Sequence, residues 1–248
     1  NHHIVHQKNT VNPKKFGTKA AFVIDTELEG GETKTFDFRM SPHKMENAFF
    51  DFDEVFEVRK KESDEFYDEI QKDFNCEDEK NVQRQAFAGL LWNKQFYHYK
   101  VGKWLNGDPN FPVERNFEHH VRNVEWKHMN CKDIISMPDK WEYPWFATWD
   151  LAFHCVSFSI LDPNFAKNQL QLLTKEWYMH PNGQLPAYEW DFSDVNPPVH
   201  AWSTFRVFKI DEKINGKPDT HFLESVFQKL LLNFTWWVNR KDKNGKNV

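Results

Sequence analysis

The 248-residue sequence predicts a mainly α-helical fold entered through a β-hairpin, and three observations carry that prediction. From about Asn47 onward, apolar residues recur at helical steps of three and four. Two dipeptides, Asp162-Pro163 and Asn196-Pro197, place a capping side chain and a proline where helices start. Glycine is scarce, 9 residues in the whole chain, which disfavours a sandwich of many short strands joined by glycine turns.

In chain order, residues 19–25 (KAAFVID) and 33–40 (TKTFDFRM) read as strands around a Gly30-Gly31 turn. A lone hairpin is marginal in water, so this one is expected to belong to a sheet that began upstream. Residues 53–74 read as a charged helix with Phe66, Ile70 and Phe74 as its apolar face. Val82, Ala86, Leu90 and Tyr97 form the inner face of a second helix. A third, over residues 145–161, is apolar nearly all round, as a buried helix should be. The Asp162-Pro163 start leads into a helix with Ala166, Leu170, Leu173 and Trp177 on its face, and Asn196-Pro197 into one running through Lys213. The last helix shows Leu223, Phe227, Leu230, Phe234 and Trp237 and stops near Lys241, before Lys243-Asn244-Gly245. Two connections, residues 100–144 and 180–195, are long enough to be expected to carry function.

Composition narrows the function classes. With 24 Phe, 11 Trp and 6 Tyr, the chain has ample apolar surface to offset ordering entropy, which excludes a disordered segment. No run of eighteen apolar residues occurs, so no membrane span is expected. The net charge of −5 argues against a nucleic-acid partner that needs phosphate neutralisation. The negative charge is local: residues 51–80 hold 13 acidic and 5 basic side chains, which an exposed charged helix explains. Cys76, Cys131 and Cys155 are odd in number and widely spaced, the pattern of buried free thiols rather than of a disulfide framework or zinc site. The start, Asn1-His2-His3-Ile4, lacks an initiator Met and the features of a signal peptide, so the chain reads as an excerpt or processed product. A cytoplasmic location is expected, with the endoplasmic reticulum lumen as the alternative.

Chemistry concentrates in two segments. In residues 137–154, MPDKWEYPWFATWDLAFH, Trp141, Trp145 and Trp149 recur at steps of four and Asp150 follows the last. Among Phe146, Trp149, Leu151 and Phe153, a carboxyl is expected to be desolvated, the condition for general-acid work at neutral pH. Residues 180–200, HPNGQLPAYEWDFSDVNPPVH, carry four prolines with Tyr188, Trp190, Glu189, Asp191 and Asp194. Two readings stay open: a proline-stiffened structural loop, or aromatic faces and hydrogen-bonding groups arranged for a sugar. In residues 91–99, LWNKQFYHY, the aromatics Trp92, Tyr97 and Tyr99 read as core unless the other two segments form a site. The 12 histidines show no HExxH or CxxC spacing, and His154 and His200 read as orienting a carboxylate or filling the core. No Walker loop, GxGxxG or GxSxG is present. Asn233-Phe234-Thr235 matches a glycosylation acceptor but lies on a buried stripe.

At KWEYPWFATWDLAFH (140–154), HPNGQLPAYEWDFSDVNPPVHAW (180–202), NFTWWVNRKD (233–242) and RQAFAGLLWNKQFYHY (84–99), the sequence resembles the catalytic domain of glycoside hydrolase family 63. That family includes the processing α-glucosidase of N-glycans and bacterial hydrolases of glucosyl- and mannosylglycerate. The resemblance implies that residues 47–248 are the first half of an (α/α)6 six-hairpin barrel and residues 1–46 the end of a β-sandwich domain with its linker. The count of about six helices agrees, since a closed barrel uses twelve. It also implies an inverting α-glycosidase with Asp150 as general acid and Trp145, Trp149, Gln184, Tyr188, Glu189 and Trp190 lining the pocket. Inversion needs a second carboxylate roughly 6.5–9.5 Å away, expected outside this chain. Glu189 is the local candidate for a base on chemistry alone, but is read as binding substrate. The expected partner is a carbohydrate substrate, with no cofactor, metal or nucleic acid and with the oligomeric state open. The 248 residues alone are expected to be inactive. The alternative is a non-catalytic carbohydrate-binding or scaffold protein.

Overall fold

The computed structural model describes residues 5–6, 8–9, 11–18, 20–107, 123–188, 192 and 195–246. The chain divides into two compact units, Asn1–Val58 and Arg59–Val248.

In the first unit the expected hairpin is present only as a turn. Gly31 takes a positive φ of 85° and the Glu32 amide donates to the Glu29 carbonyl at 3.0 Å. Lys34 reaches back to Thr26 Oγ1 at 3.1 Å, and the Phe22 and Phe38 rings lie 5.6 Å apart. No strand ladder forms among the described residues of this segment. The reason is physical: nearly every residue there is exposed, and an isolated hairpin with no face to bury is not stable. Arg39 pairs with Asp51 and donates to the Ala48 carbonyl at 2.7 Å, tying the end of the turn to the helix start that follows.

Helix α1 (Phe52–Ile70) buries Tyr67 rather than the predicted Phe66 stripe. The Arg84 guanidinium stacks over Tyr67 at 4.8 Å and pairs with Asp64 at 2.7 Å, so α2 (Glu77–Trp92) turns the α1 face by one residue and leaves Phe66 at 42% exposure. Of the predicted inner face of α2, Leu90 packs on the core as expected, joined by Leu91, but Val82 is 61% exposed.

Tyr97 lies not on that helix but on a strand. β1 (Lys94–Lys100) pairs antiparallel with β2 (Asn130–Ser136), from Lys94↔Ser136 to Lys100↔Asn130. The short α3 (Val101–Asn106) sits between them in sequence. The strands follow from the run KQFYHYK, whose aromatics suit a half-buried pleated surface. They were hidden from a local reading because the partner strand lies more than thirty residues on.

The core is built around α4 (Thr148–Leu161), apolar on most faces as expected. Leu151, Ala152, Cys155 and Phe158 are fully buried against Ala166, Leu170 and Leu173 of the α5 segment (helix Pro163–Leu172), Val207 of α6 (Val199–Asn215) and Val226 of α7 (Thr220–Trp236). Asp162 caps α5 as predicted, accepting from the Phe165 amide at 2.9 Å. Lys94 pairs with Asp162 at 3.0 Å and lies over the Phe165 ring, fastening β1 to the α4–α5 corner. α6 begins at Val199 rather than at Pro197, and the Asn196 side chain donates to the Ala187 carbonyl at 3.3 Å instead of capping. Lys167 bridges Asp211 on α6 and Asp219, the cap of α7, at 3.1 and 2.8 Å. α7 ends in a π-helical turn, Trp237–Lys241. Cys131 and Cys155 are buried and free, but Cys76 is exposed at the α2 N-cap, where the neighbouring helix turn is acidic and solvated.

Candidate active site

The site is built where the two chemistry-rich segments meet. Ala147 is extended, with φ −138° and ψ 111°, and forms an antiparallel bridge to Tyr188. One residue on, the Thr148 amide donates to the Ala187 carbonyl at 2.9 Å and its hydroxyl donates to the Pro186 carbonyl. These bonds fix the first turn of α4, which carries Trp149 and Asp150, against the proline-stiffened loop.

That loop is pinned from behind. The Asn182 amide donates to His180 Nδ1 at 3.1 Å, and the Gln184 amide donates to Asn182 Oδ1 at 2.8 Å. Gly183 has a positive φ of 94°, and a Cβ there would lie 2.4 Å from the Leu232 carbonyl oxygen on α7. Only glycine permits that approach. Asn233 is buried and donates to the Gly183 carbonyl at 2.8 Å, so its apparent glycosylation motif is a loop anchor.

Between the segments lies a cleft of about 610 Å³, lined by Pro138, Tyr143, Trp145, Trp149, Asp150 and Tyr188 together with Ala147 and Ala187. Tyr143 meets Trp145 edge to face at 5.1 Å. Trp149 is 40% exposed. Four of the expected site residues, Trp145, Trp149, Asp150 and Tyr188, thus share one cleft. Gln184 is placed elsewhere: it is buried and its side-chain amide donates to the Phe192 carbonyl at 3.4 Å. Glu189 and Trp190 lie outside the described residues, as do Asp191 and Asp194. Pro138 and Tyr143 join the cleft without having been singled out, although both fall within the segment read as chemistry-rich.

Asp150 is half-buried, not enclosed. Its sequence neighbours do not surround it, because a helix sends adjacent residues to different faces: Leu151 turns into the core while Trp149 and Phe153 are exposed. One turn on, His154 accepts or donates a hydrogen bond at Nδ1 with Ser136 Oγ at 2.8 Å. Burial pushes the His154 pKa down, opposed in part by the Asp150 charge. His200 is held lower still, at about 4, by burial, and its Nε2 bonds the Leu170 carbonyl at 2.9 Å. Burial raises the Cys131 thiol to about 12 and raises Cys155 as well, which leaves both inert as nucleophiles. Ser136, His154 and Asp150 have the makeup of a hydrolytic triad, but Ser136 is wholly buried and no scissile carbonyl could reach it.

No group of three or more His, Cys, Asp or Glu side chains arranged to hold a metal occurs among the described residues. A larger groove, about 770 Å³ between α6 and α7, is lined by Phe205, Leu223, Phe227, Leu230, Leu231 and Phe234 and carries a single carboxyl, Glu224. Its makeup is that of a packing face; the cleft at Asp150 holds the convergent aromatic and acidic groups that a polar ligand needs.

Residues 143–248 match the family described as the mannosylglycerate hydrolase MGH1-like glycoside hydrolase domain. The chain resembles part of a glycoside hydrolase domain related to family 63. The matched stretch holds Trp145, Trp149, Asp150 and Tyr188, and the domain type points to glycosidase chemistry. The mainly helical fold with its small two-stranded sheet is consistent with a helical glycosidase domain. The chain is also 51% identical over 253 residues to the Saccharomyces cerevisiae "Uncharacterized protein YMR196W", a match that covers 97% of this chain and 23% of that protein. No solved structure matches. No helix among the described residues is long and apolar enough to cross a membrane.

Proposed function

We propose that the protein is an inverting α-glycoside hydrolase, glucosidase-like, acting on an oligosaccharide or small glucoside. The observation that carries the reading is the convergence of Trp145, Trp149 and Tyr188 on Asp150 in one cleft, within the stretch that matches the glycoside hydrolase domain. Asp150 is the general acid that protonates the glycosidic oxygen as the bond to the leaving group breaks. The aromatic rings present apolar faces to the C–H faces of the sugar. In this reading Glu189 and Trp190 complete the substrate pocket, and Gln184 supports it from behind by holding the loop at the Phe192 carbonyl. Asp150 is open to solvent on the cleft side, so its desolvation comes with substrate and with the residues that close the cleft.

Residues 47–248 form the first half of an (α/α)6 barrel in this reading, and residues 1–46 the end of a β-sandwich with its linker. Asp150 is the one carboxyl lining the cleft among the described residues, and in this reading the general base is contributed by a segment outside these 248 residues. The same observation supports a second reading, a non-catalytic carbohydrate-binding protein, in which no such base exists. Proton NMR of the full-length protein acting on an α-glucoside distinguishes them. The hydrolase releases β-glucose as the first-formed anomer; α-glucose first would contradict inversion, and binding without turnover would favour the second reading.

A further inference from the structure

The Asp150 reading leaves one buried polar pair unused. Ser136 closes β2 and is wholly buried. Its amide donates to Gln169 Oε1 on α5 at 3.2 Å, and Gln169 Nε2 donates back to the Ile134 carbonyl at 2.9 Å. The serine is therefore fixed by two elements before its hydroxyl meets His154 Nδ1 at 2.8 Å. His154 lies four residues after Asp150 on α4. Helical side chains lean toward the N-terminus, over the preceding turn, so the imidazole lies over the turn that carries Asp150.

We propose that His154 is a positioning residue for Asp150: Ser136 locks its imidazole as the Nε2–H tautomer, and the ring holds the acid's carboxyl in the orientation that faces the cleft. The buried Ser136 hydroxyl has His154 Nδ1 as its partner, and a buried hydroxyl that donates there leaves Nδ1 as acceptor and the proton on Nε2. Burial favours the neutral ring, opposed in part by the Asp150 charge. A neutral donor one turn below the acid orients the carboxyl without supplying a competing positive charge. The hydrogen bonds run Gln169, Ser136, His154, and the four-residue spacing on α4 puts Asp150 one turn from the ring, so α5 and β2 fix the imidazole that faces the acid's turn. This inference rests on the reading of Asp150 as general acid.

The test uses full-length protein with Ser136→Ala, His154→Gln and His154→Leu. Turnover is measured on a panel of α-gluco- and α-mannosides with alcohol leaving groups and on the matching glycosyl fluorides, whose departure needs little proton donation. His154→Leu should lower kcat on the alcohol glycosides by about 10–100-fold, part of the 10²–10⁴ that a placed proton donor supplies. Fluoride turnover should stay within about threefold, which also shows that the variant folds. His154→Gln, which keeps a donor near the Nε2 position, should recover most of the loss. Solid-state ¹⁵N NMR of histidine-labelled protein, with the His154 signal assigned by its disappearance in His154→Gln, should show the Nε2–H tautomer, mixed tautomers in Ser136→Ala, and a shift in Asp150→Asn. Equal losses on both substrate classes, an Nδ1–H tautomer, or no response of the His154 signal to Asp150→Asn would overturn the proposal. Absence of turnover on the whole panel with the NMR coupling intact would instead overturn the hydrolase reading and leave the Ser136–His154–Asp150 coupling standing.

Discussion

Replacing Gly183 with Ala attacks the contact that holds the cleft's loop against α7. The backbone there has φ 94°, and the new Cβ would lie 2.4 Å from the Leu232 carbonyl oxygen, 2.9 Å from its carbon and 3.3 Å from Trp236 Cβ. The left-handed backbone costs an L-residue about 1–2 kcal/mol. The overlap adds about 1–3 kcal/mol, since the nearest atoms are helix backbone and cannot rotate away. A local loss of about 2–5 kcal/mol follows, together with strain on the Asn233–Gly183 hydrogen bond. Hydrogen exchange reads it directly: amides of residues 182–188 and of the last turns of α7 should exchange at least about 30-fold faster, at one decade per 1.4 kcal/mol. Gly216→Ala is the control, because its φ of 66° is also positive but nothing lies within 4 Å of the added methyl. Its effect should be limited to about 1–2 kcal/mol of backbone cost. Equal responses of the two variants, or an unchanged exchange rate around Gly183, would refute the reasoning.

Further predictions concern packing, charge and thiols. Lys167→Met strands the nearly buried Asp211 carboxylate and should cost about 3–5 kcal/mol, measured as local exchange in α5 and α6. Lys167 and the Phe222 amide hold the Asp219 carboxyl below its usual range, so its contribution is fully present above the ordinary carboxylate pKa. It is lost as pH falls through the depressed folded value, and exchange at the α7 start should show that acid sensitivity in wild type and show it weakened in Lys167→Met, where the Phe222 amide bond remains. A thiol reagent should modify Cys76 rapidly and spare Cys131 and Cys155 in the native protein. Phe227 and Phe234 are 58% and 62% exposed in the α6–α7 groove, so the 248 residues alone should self-associate. Light scattering should show that association relieved by Phe227→Ser with Phe234→Ser.

What a sequence shows depends on how local the cause is. The Asp162 cap and Pro163 start were legible because the whole device spans four residues. That residues 145–150 and 186–188 belong to one pocket is implied by the family resemblance and not by either segment alone, because the bridge from Ala147 to Tyr188 is a tertiary contact. The β1–β2 ladder was not legible, because an aromatic run such as KQFYHYK fits helix or strand until a distant partner is known. Gln184 illustrates the same limit: a polar side chain in a sugar-like motif carries no mark saying that its amide is used on the Phe192 carbonyl. Ser136 has no motif at all, and its role emerges only from the packing of β2 on α4 and α5. The stripe with Phe227 and Phe234 reads as buried from its period, yet the two are 58% and 62% exposed, because periodicity does not say which neighbour covers the face.

The measurement that bears most directly on the central claim is hydrolysis by the full-length protein carrying Asp150→Asn. This substitution keeps the shape of the cleft and removes the acid, so sugar affinity should persist while turnover of an α-glycoside with an alcohol leaving group falls by about 10²–10⁴-fold. Turnover that survives Asp150→Asn would contradict the assignment of Asp150 as general acid.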